Sequence, residues 1–281
     1  RTAGERACRP QKWRTSPRSV VRAMAASYTL PSVTPGTAAL IAGSAALAGS
    51  MNAVAGGGTL VTFPSLLAAG LSPVSANVTS TIALYPGQVA SALAYRGHIG
   101  EMRHRVVFFA IPSLIGGIIG SSLLLLLPGK VFALVVPWLI LFACLLLALQ
   151  NPLKAALARW PHGNHPAALW LAQLLISIYG GYFGAGIGIL MLAAMGLLLE
   201  EGQQHANALK NLNALFTNTM AASLFVIVGD VRWAEAGVMA VASIAGGFLG
   251  AHFAQQLSPT LMRGIAISIG LVAAGRFLLT N

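Results

Sequence analysis

Asn207, Lys210, Asn211 and Asn218 recur at spacings that place them on one face of a helix. A polar stripe inside an apolar stretch is costly in lipid and points to a cavity wall. An ammonium group and carboxamides are hydrogen-bond donors, so the chemistry they suit is the holding of an anion. Just before the stripe the chain is broken by glycine, at Tyr179-Gly180-Gly181-Tyr182-Phe183-Gly184-Ala185-Gly186-Ile187-Gly188. A matching break, Ala48-Gly49-Ser50-Met51-Asn52-Ala53-Val54-Ala55-Gly56-Gly57-Gly58-Thr59, lies about 130 residues earlier. Glycine costs a helix about 1 kcal/mol per residue, and an unpaired amide in lipid costs several more. Such breaks persist where their N–H groups face protein, water or a solute. Amides at the start of a half-helix carry partial positive charge, which again suits an oxyanion.

Other chemistries find little support. The six acidic residues, Glu5, Glu101, Glu200, Glu201, Asp230 and Glu235, fall in the first stretch of the chain or at loops and helix edges. A cation carrier or an acid-based proton relay would place a carboxylate inside an apolar run. Cys8 and Cys144 make neither a metal site nor a disulfide framework. Ser50 with His98 or His205 would be the raw material of a nucleophile pair, yet no serine has a supporting context. No enzyme, metal or cofactor is expected.

The elements that hold these residues are membrane helices. Of 281 residues 56% are hydrophobic and 8% charged, against roughly 25% charged in a soluble domain. Eight apolar runs, near 37–55, 76–95, 106–127, 131–149, 167–183, 208–228, 234–256 and 261–279, are long enough to cross a bilayer. Two shorter ones, 60–70 and 189–199, each follow a glycine break and read as re-entrant or half-helical pieces. The fold class expected is an all-α polytopic bundle of about eight spans with two glycine-broken short segments.

Self-comparison indicates a duplication. Gly116-Gly117-Ile118-Ile119-Gly120 matches Gly246-Gly247-Phe248-Leu249-Gly250, and Ser75-Ala76-Asn77 matches His205-Ala206-Asn207, each at an offset of 130. Small residues at this spacing let helices approach closely in lipid, so the glycine clusters are first of all packing faces. The chain divides into a basic tail (1–35), a first repeat (36–149), a polar linker (150–166) and a second repeat (167–281). Seven of the seventeen lysines and arginines lie in the first 22 residues, a cytoplasmic flank or over-extended start, with a transit peptide as the alternative.

Loop charge sets the expected orientation. If the short segments are re-entrant, the tail, the loop 96–105, the linker and Arg232 share the cytoplasmic side, with four spans per half and both termini inside. If they cross, each half has an odd number of spans and the repeats are inverted. Charge favours the first arrangement.

The run from Asn52 through Gly56-Gly57-Gly58-Thr59 to Pro73, followed by Ala76-Asn77-Val78-Thr79-Ser80, resembles the first-half signature of the sulfite exporter TauE/SafE family of membrane permeases. The second-half counterpart is Gly181 to Gly188, Lys210-Asn211-Leu212-Asn213 with Thr217-Asn218, and Gly229-Asp230-Val231-Arg232-Trp233. The resemblance spans residues 37–279. It implies a duplicated permease of a bacterial-type inner membrane that moves sulfite, sulfonates or related oxyanions, generally outward. Asn52 stands where many relatives carry an acid, and Thr59 replaces a fourth glycine.

The expected substrate site is Gly56, Gly57, Gly58, Thr59, Asn77, Thr79, Gly184, Gly186, Gly188, Asn207, Lys210, Asn213 and Asn218. Each has a structural alternative: Lys210 can snorkel to the interface, and the asparagines and threonines can bridge helices. The partners expected are a small anion and the lipid bilayer, with no nucleic acid; a homodimer is allowed. The function expected is anion export driven by membrane potential, and the alternative is a cation- or proton-coupled transporter of another small solute.

Overall fold

The computed structural model describes residues 34–54, 57–94, 100, 102–157, 166–198, 203–253 and 259–280. The chain divides between Thr34 and Pro35, and the architecture below is that of the unit from Pro35 to Asn281. The expectations for the tail, for Gly56 and for Glu200 and Glu201 lie outside the described residues.

Eleven helices and no strand occur among the described residues: α1 (Pro35–Val54), α2 (Thr59–Ala68), α3 (Pro73–Ala94), α4 (Arg103–Leu126), α5 (Gly129–Ala148), α6 (Gln150–Leu157), α7 (Pro166–Tyr182), α8 (Ile187–Leu198), α9 (Gln203–Val228), α10 (Trp233–Phe253) and α11 (Pro259–Thr280). By length and composition α4, α5 and the stretch His205–Val228 of α9 could cross a membrane.

At the first break Gly57 takes φ +93°, a left-handed value that only glycine adopts without strain. The chain reverses there. The Asn52 side-chain oxygen accepts the Gly58 amide at 2.9 Å, and further down Ser65 donates to Ser44 at 2.7 Å. These two bonds make α1 and α2 an antiparallel hairpin. At the second break Gly184 and Gly186 take φ +78° and +77°. The Tyr179 hydroxyl donates across that turn to the Ala185 carbonyl at 2.5 Å, so α7 and α8 form a second hairpin.

The hairpins enter from opposite ends of the bundle. Ser75 donates to the Asp230 carbonyl (2.9 Å), the Arg232 amide donates to Thr79 Oγ1 (3.1 Å), and Tyr85 and Thr219 share a hydrogen bond of 3.0 Å. As residue number rises along α3 it falls along α9, so these helices are antiparallel. Each follows its own hairpin closely, and the hairpin tips therefore point toward each other. Four crossings per half, which loop charge favoured, would run α3 and α9 parallel. The difference arises because each hairpin returns the chain to the end from which it entered, a reversal that charge counting does not register.

Packing crosses between the halves. The most extensive helix contacts are α1 with α10 and α4 with α7. Both are made through glycine: a Cβ on Gly120 would lie 2.1 Å from the Ile178 carbonyl oxygen, and one on Gly246 would lie 2.0 Å from that of Ala46. Backbone meets backbone at these points. Dispersion and close approach hold helices together where water supplies no hydrophobic drive.

Candidate functional site

Where the hairpin tips meet there is a cavity of about 530 Å³. The first tip contributes Asn52, Gly57 and Thr59, and the second contributes Phe183, Gly184, Gly186, Ile187 and Gly188. Thr81, Leu84, Gln88 and Ser91 of α3 face Lys210, Asn211, Ala214 and Asn218 of α9, and Ser243 to Phe248 of α10 close one side. These positions lie toward the end of the bundle where α3 finishes and α9 begins.

Among the described residues Lys210 is the one charged side chain in the lining. Its stem runs over the second tip: a Cβ on Gly188 would lie 3.3 Å from Lys210 Cδ, so glycine leaves the room that the lysine uses. The amides of Gly186 and Gly188 donate to no acceptor among the described residues. Backbone donors without an acceptor among the described residues and an ammonium therefore share one space, whose wall is otherwise largely apolar. That combination attracts a small anion.

The floor is aromatic. Phe183 stacks edge-on against Phe63 at 5.4 Å between centroids, and Phe132 lies 6.2 Å from Phe183 and 5.5 Å from Tyr182. Beyond the floor Asn77 donates to the Tyr182 carbonyl at 3.0 Å, and Thr62 and Ser80 share a buried hydrogen bond of 2.6 Å. These bonds tie α3 to the second tip and to α2.

Of the expected site residues, Gly57, Thr59, Gly184, Gly186, Gly188, Lys210 and Asn218 line the cavity. Gly58 sits behind it, its amide taken by Asn52. Asn77 and Thr79 are buried below the floor, where they tie α3 to Tyr182 and Arg232. Asn207 is half-buried in the first turns of α9 and is not in the lining. Asn213 is fully buried on another face of α9, and neither atom of its carboxamide has a partner among the described residues. Gln88 and Ser91 were missed. Their signal was present: 81, 84, 88 and 91 follow helical spacing and carry Thr, Leu, Gln and Ser through an apolar segment.

A larger depression, about 990 Å³, lies between α1, α2 and α11 and is lined mainly by apolar side chains. It gathers few of the polar groups that make the first cavity a solute site. No cluster of three or more His, Cys, Asp or Glu that could hold a metal occurs among the described residues.

A membrane transporter is the class of protein that this arrangement defines. Residues 41–277 match the family model described as Sulfite exporter TauE/SafE, and the chain belongs to that family. It is 27% identical over 235 residues to a Haemophilus influenzae protein named "Probable membrane transporter protein", covering 82% of this chain and 90% of the relative. It is 26% identical over 242 residues to the Escherichia coli K12 "Probable membrane transporter protein YfcA", with 83% and 87% covered. A Sinorhizobium relative, "Probable membrane transporter protein ORF9", is 25% identical over 236 residues, with 83% and 88% covered. No solved structure matches significantly.

Proposed function

We propose that this transporter is a permease that exports a small sulfur-containing oxyanion, such as sulfite or a sulfonate, through the cavity between the hairpin tips. The observation that carries the reading is that Lys210 shares one lining with the Gly186 and Gly188 amides, which meet no acceptor among the described residues, and that none of the described lining residues is a carboxylate. Thr59, Gln88, Asn211 and Asn218 add neutral donors around the same space. An anion leaving a negative cytoplasm gains about 2.3 kcal/mol per charge for each 100 mV, so no coupling ion is required.

In this reading the chain lies in a bacterial-type inner membrane as two inverted repeats, 36–149 and 167–281, joined by the linker 150–166. The antiparallel course of α3 and α9 and the crossed packing of α1 on α10 and α4 on α7 support it. Each hairpin descends from its own face, and the three helices after it cross. The odd count returns both termini to one face, and the seven basic residues that precede α1 favour the cytoplasm for that face.

Proteoliposomes loaded with sulfite and clamped with potassium and valinomycin test the proposal. Efflux should rise when the interior is made negative and stall when the potential is reversed. Flux that ignores the potential and follows an imposed proton or sodium gradient would favour the coupled alternative.

A further inference from the structure

Short motifs of the two halves match in sequence, and the helix pairs they place in correspondence differ in one contact. At the offset of 130 that relates them, Gly117 of α4 corresponds to Gly247 of α10, and Thr217 of α9 corresponds to Gly87 of α3. Gly117 and Thr217 touch: a Cβ on Gly117 would lie 2.5 Å from the Thr217 carbonyl oxygen. Gly247 and Gly87 instead both line the cavity. Among the described residues a Cβ on Gly247 would meet nothing nearer than 3.8 Å, and one on Gly87 would meet nothing within 4 Å. Helix α10 meets α3 where Ser243 donates to the Ala83 carbonyl at 3.1 Å, and one turn further on the cavity lies between them. The same helix pair is therefore parted in one half and shut in the other.

What is shut is polar. Between α4, α7 and α9, Gln173 donates to Ser113 at 2.9 Å and to Ser177 at 3.1 Å, and Thr217 donates to Ser177 at 3.1 Å, all of them buried. Asn213 is buried beside them on α9, one turn before Thr217, with its carboxamide unpartnered among the described residues. Serine, threonine and glutamine bonded across a membrane helix interface are ordinary glue, but a buried amide with no partner is a standing cost. Water reaching this interface in a second conformation would relieve it.

We infer that the α4–α9 seam is the latent second half of the transport path. In the alternate state α10 closes on α3 as α4 now closes on α9, and the seam opens toward the other membrane face, lined by Ser113, Asn213 and Thr217. The same anion passes from the open cavity to this one past Lys210. This inference rests on the permease reading, and it adds the route and the moving parts.

The test is a cross-link across the open gap. Gly87→Cys and Gly247→Cys are introduced together into a C8S/C144A background, reconstituted, and assayed with sulfoacetate, which, unlike sulfite, does not cleave disulfides. Oxidation with copper phenanthroline should join the two cysteines and lower sulfoacetate flux at least tenfold, and dithiothreitol should restore it. Gly247→Leu serves as a second variant, because the added side chain enters the cavity and props the gap open. Its melting temperature should stay near that of the parent while flux falls at least tenfold. Absence of the cross-link in vesicles that transport, full flux in the cross-linked protein, or full flux in Gly247→Leu would overturn the inference. A cross-link that forms in reduced-competent protein carrying no sulfoacetate, sulfite or sulfate would instead remove the anion reading and leave the motion standing.

Discussion

At the residue scale the cavity depends on one charge and on the space made for it. Lys210→Met keeps the length of the stem that lies over Gly188 and removes the ammonium. Sulfite efflux should fall at least tenfold, the loss expected when a charge-assisted hydrogen bond of about 1.5–3 kcal/mol is withdrawn. Asn52 gives a sharper comparison, because its side-chain oxygen already accepts the Gly58 amide. Asn52→Asp can keep that bond, so the first tip should stay folded. The variant brings a carboxylate into the lining, and anion binding measured by isotope displacement should weaken roughly tenfold, corresponding to about 1.4 kcal/mol.

At the scale of elements, stability sits in the glycine seams and in one turn. Gly120 and Gly246 hold α4 on α7 and α10 on α1 at backbone contact, so a single methyl forces the helices apart. Gly120→Ala should destabilise by about 1–3 kcal/mol, whereas Gly36→Ala, where a Cβ meets nothing within 4 Å among the described residues, should not. Thermal denaturation in detergent separates the two. The turn between α9 and α10 is pinned by Arg232, which donates to the buried Glu235 carboxylate at 3.2 Å. Arg232→Ala leaves that carboxylate buried without its partner and should cost about 1–3 kcal/mol. The double change Arg232→Ala with Glu235→Gln should recover part of the loss, because the charge that needed pairing is gone.

At the scale of the whole molecule, neither half completes its own packing. Helix α1 finds its main partner in α10 and α7 finds its main partner in α4, so each half buries its glycine face against the other. A half expressed alone should aggregate or be degraded. The two halves co-expressed, with the chain cut in the linker between 158 and 165, should assemble, co-purify through a tag on one half and carry sulfite. Recovery of a monodisperse single half by size exclusion would contradict this.

The elements were readable in the residues because their causes are local. Apolar run length sets where helices form, and left-handed glycines such as Gly57, Gly184 and Gly186 sit where the chain turns. The side of α9 that carries Lys210, Asn211 and Asn218 was also readable, since helical periodicity fixes which residues share a face. Periodicity does not fix what that face meets. Asn211 and Asn213 are two positions apart, and only long-range packing decided that one lines the cavity while the other is buried away from it. Asn77 and Thr79 went below the floor for the same reason, because their partners, Tyr182 and Arg232, come from more than 100 residues away. The antiparallel setting of α3 and α9, and the opening of one helix pair while its counterpart is shut, are likewise properties of contacts between the halves. Local propensity acts within a few turns of a helix, whereas the cavity is the space left over when distant helices have found their closest fit.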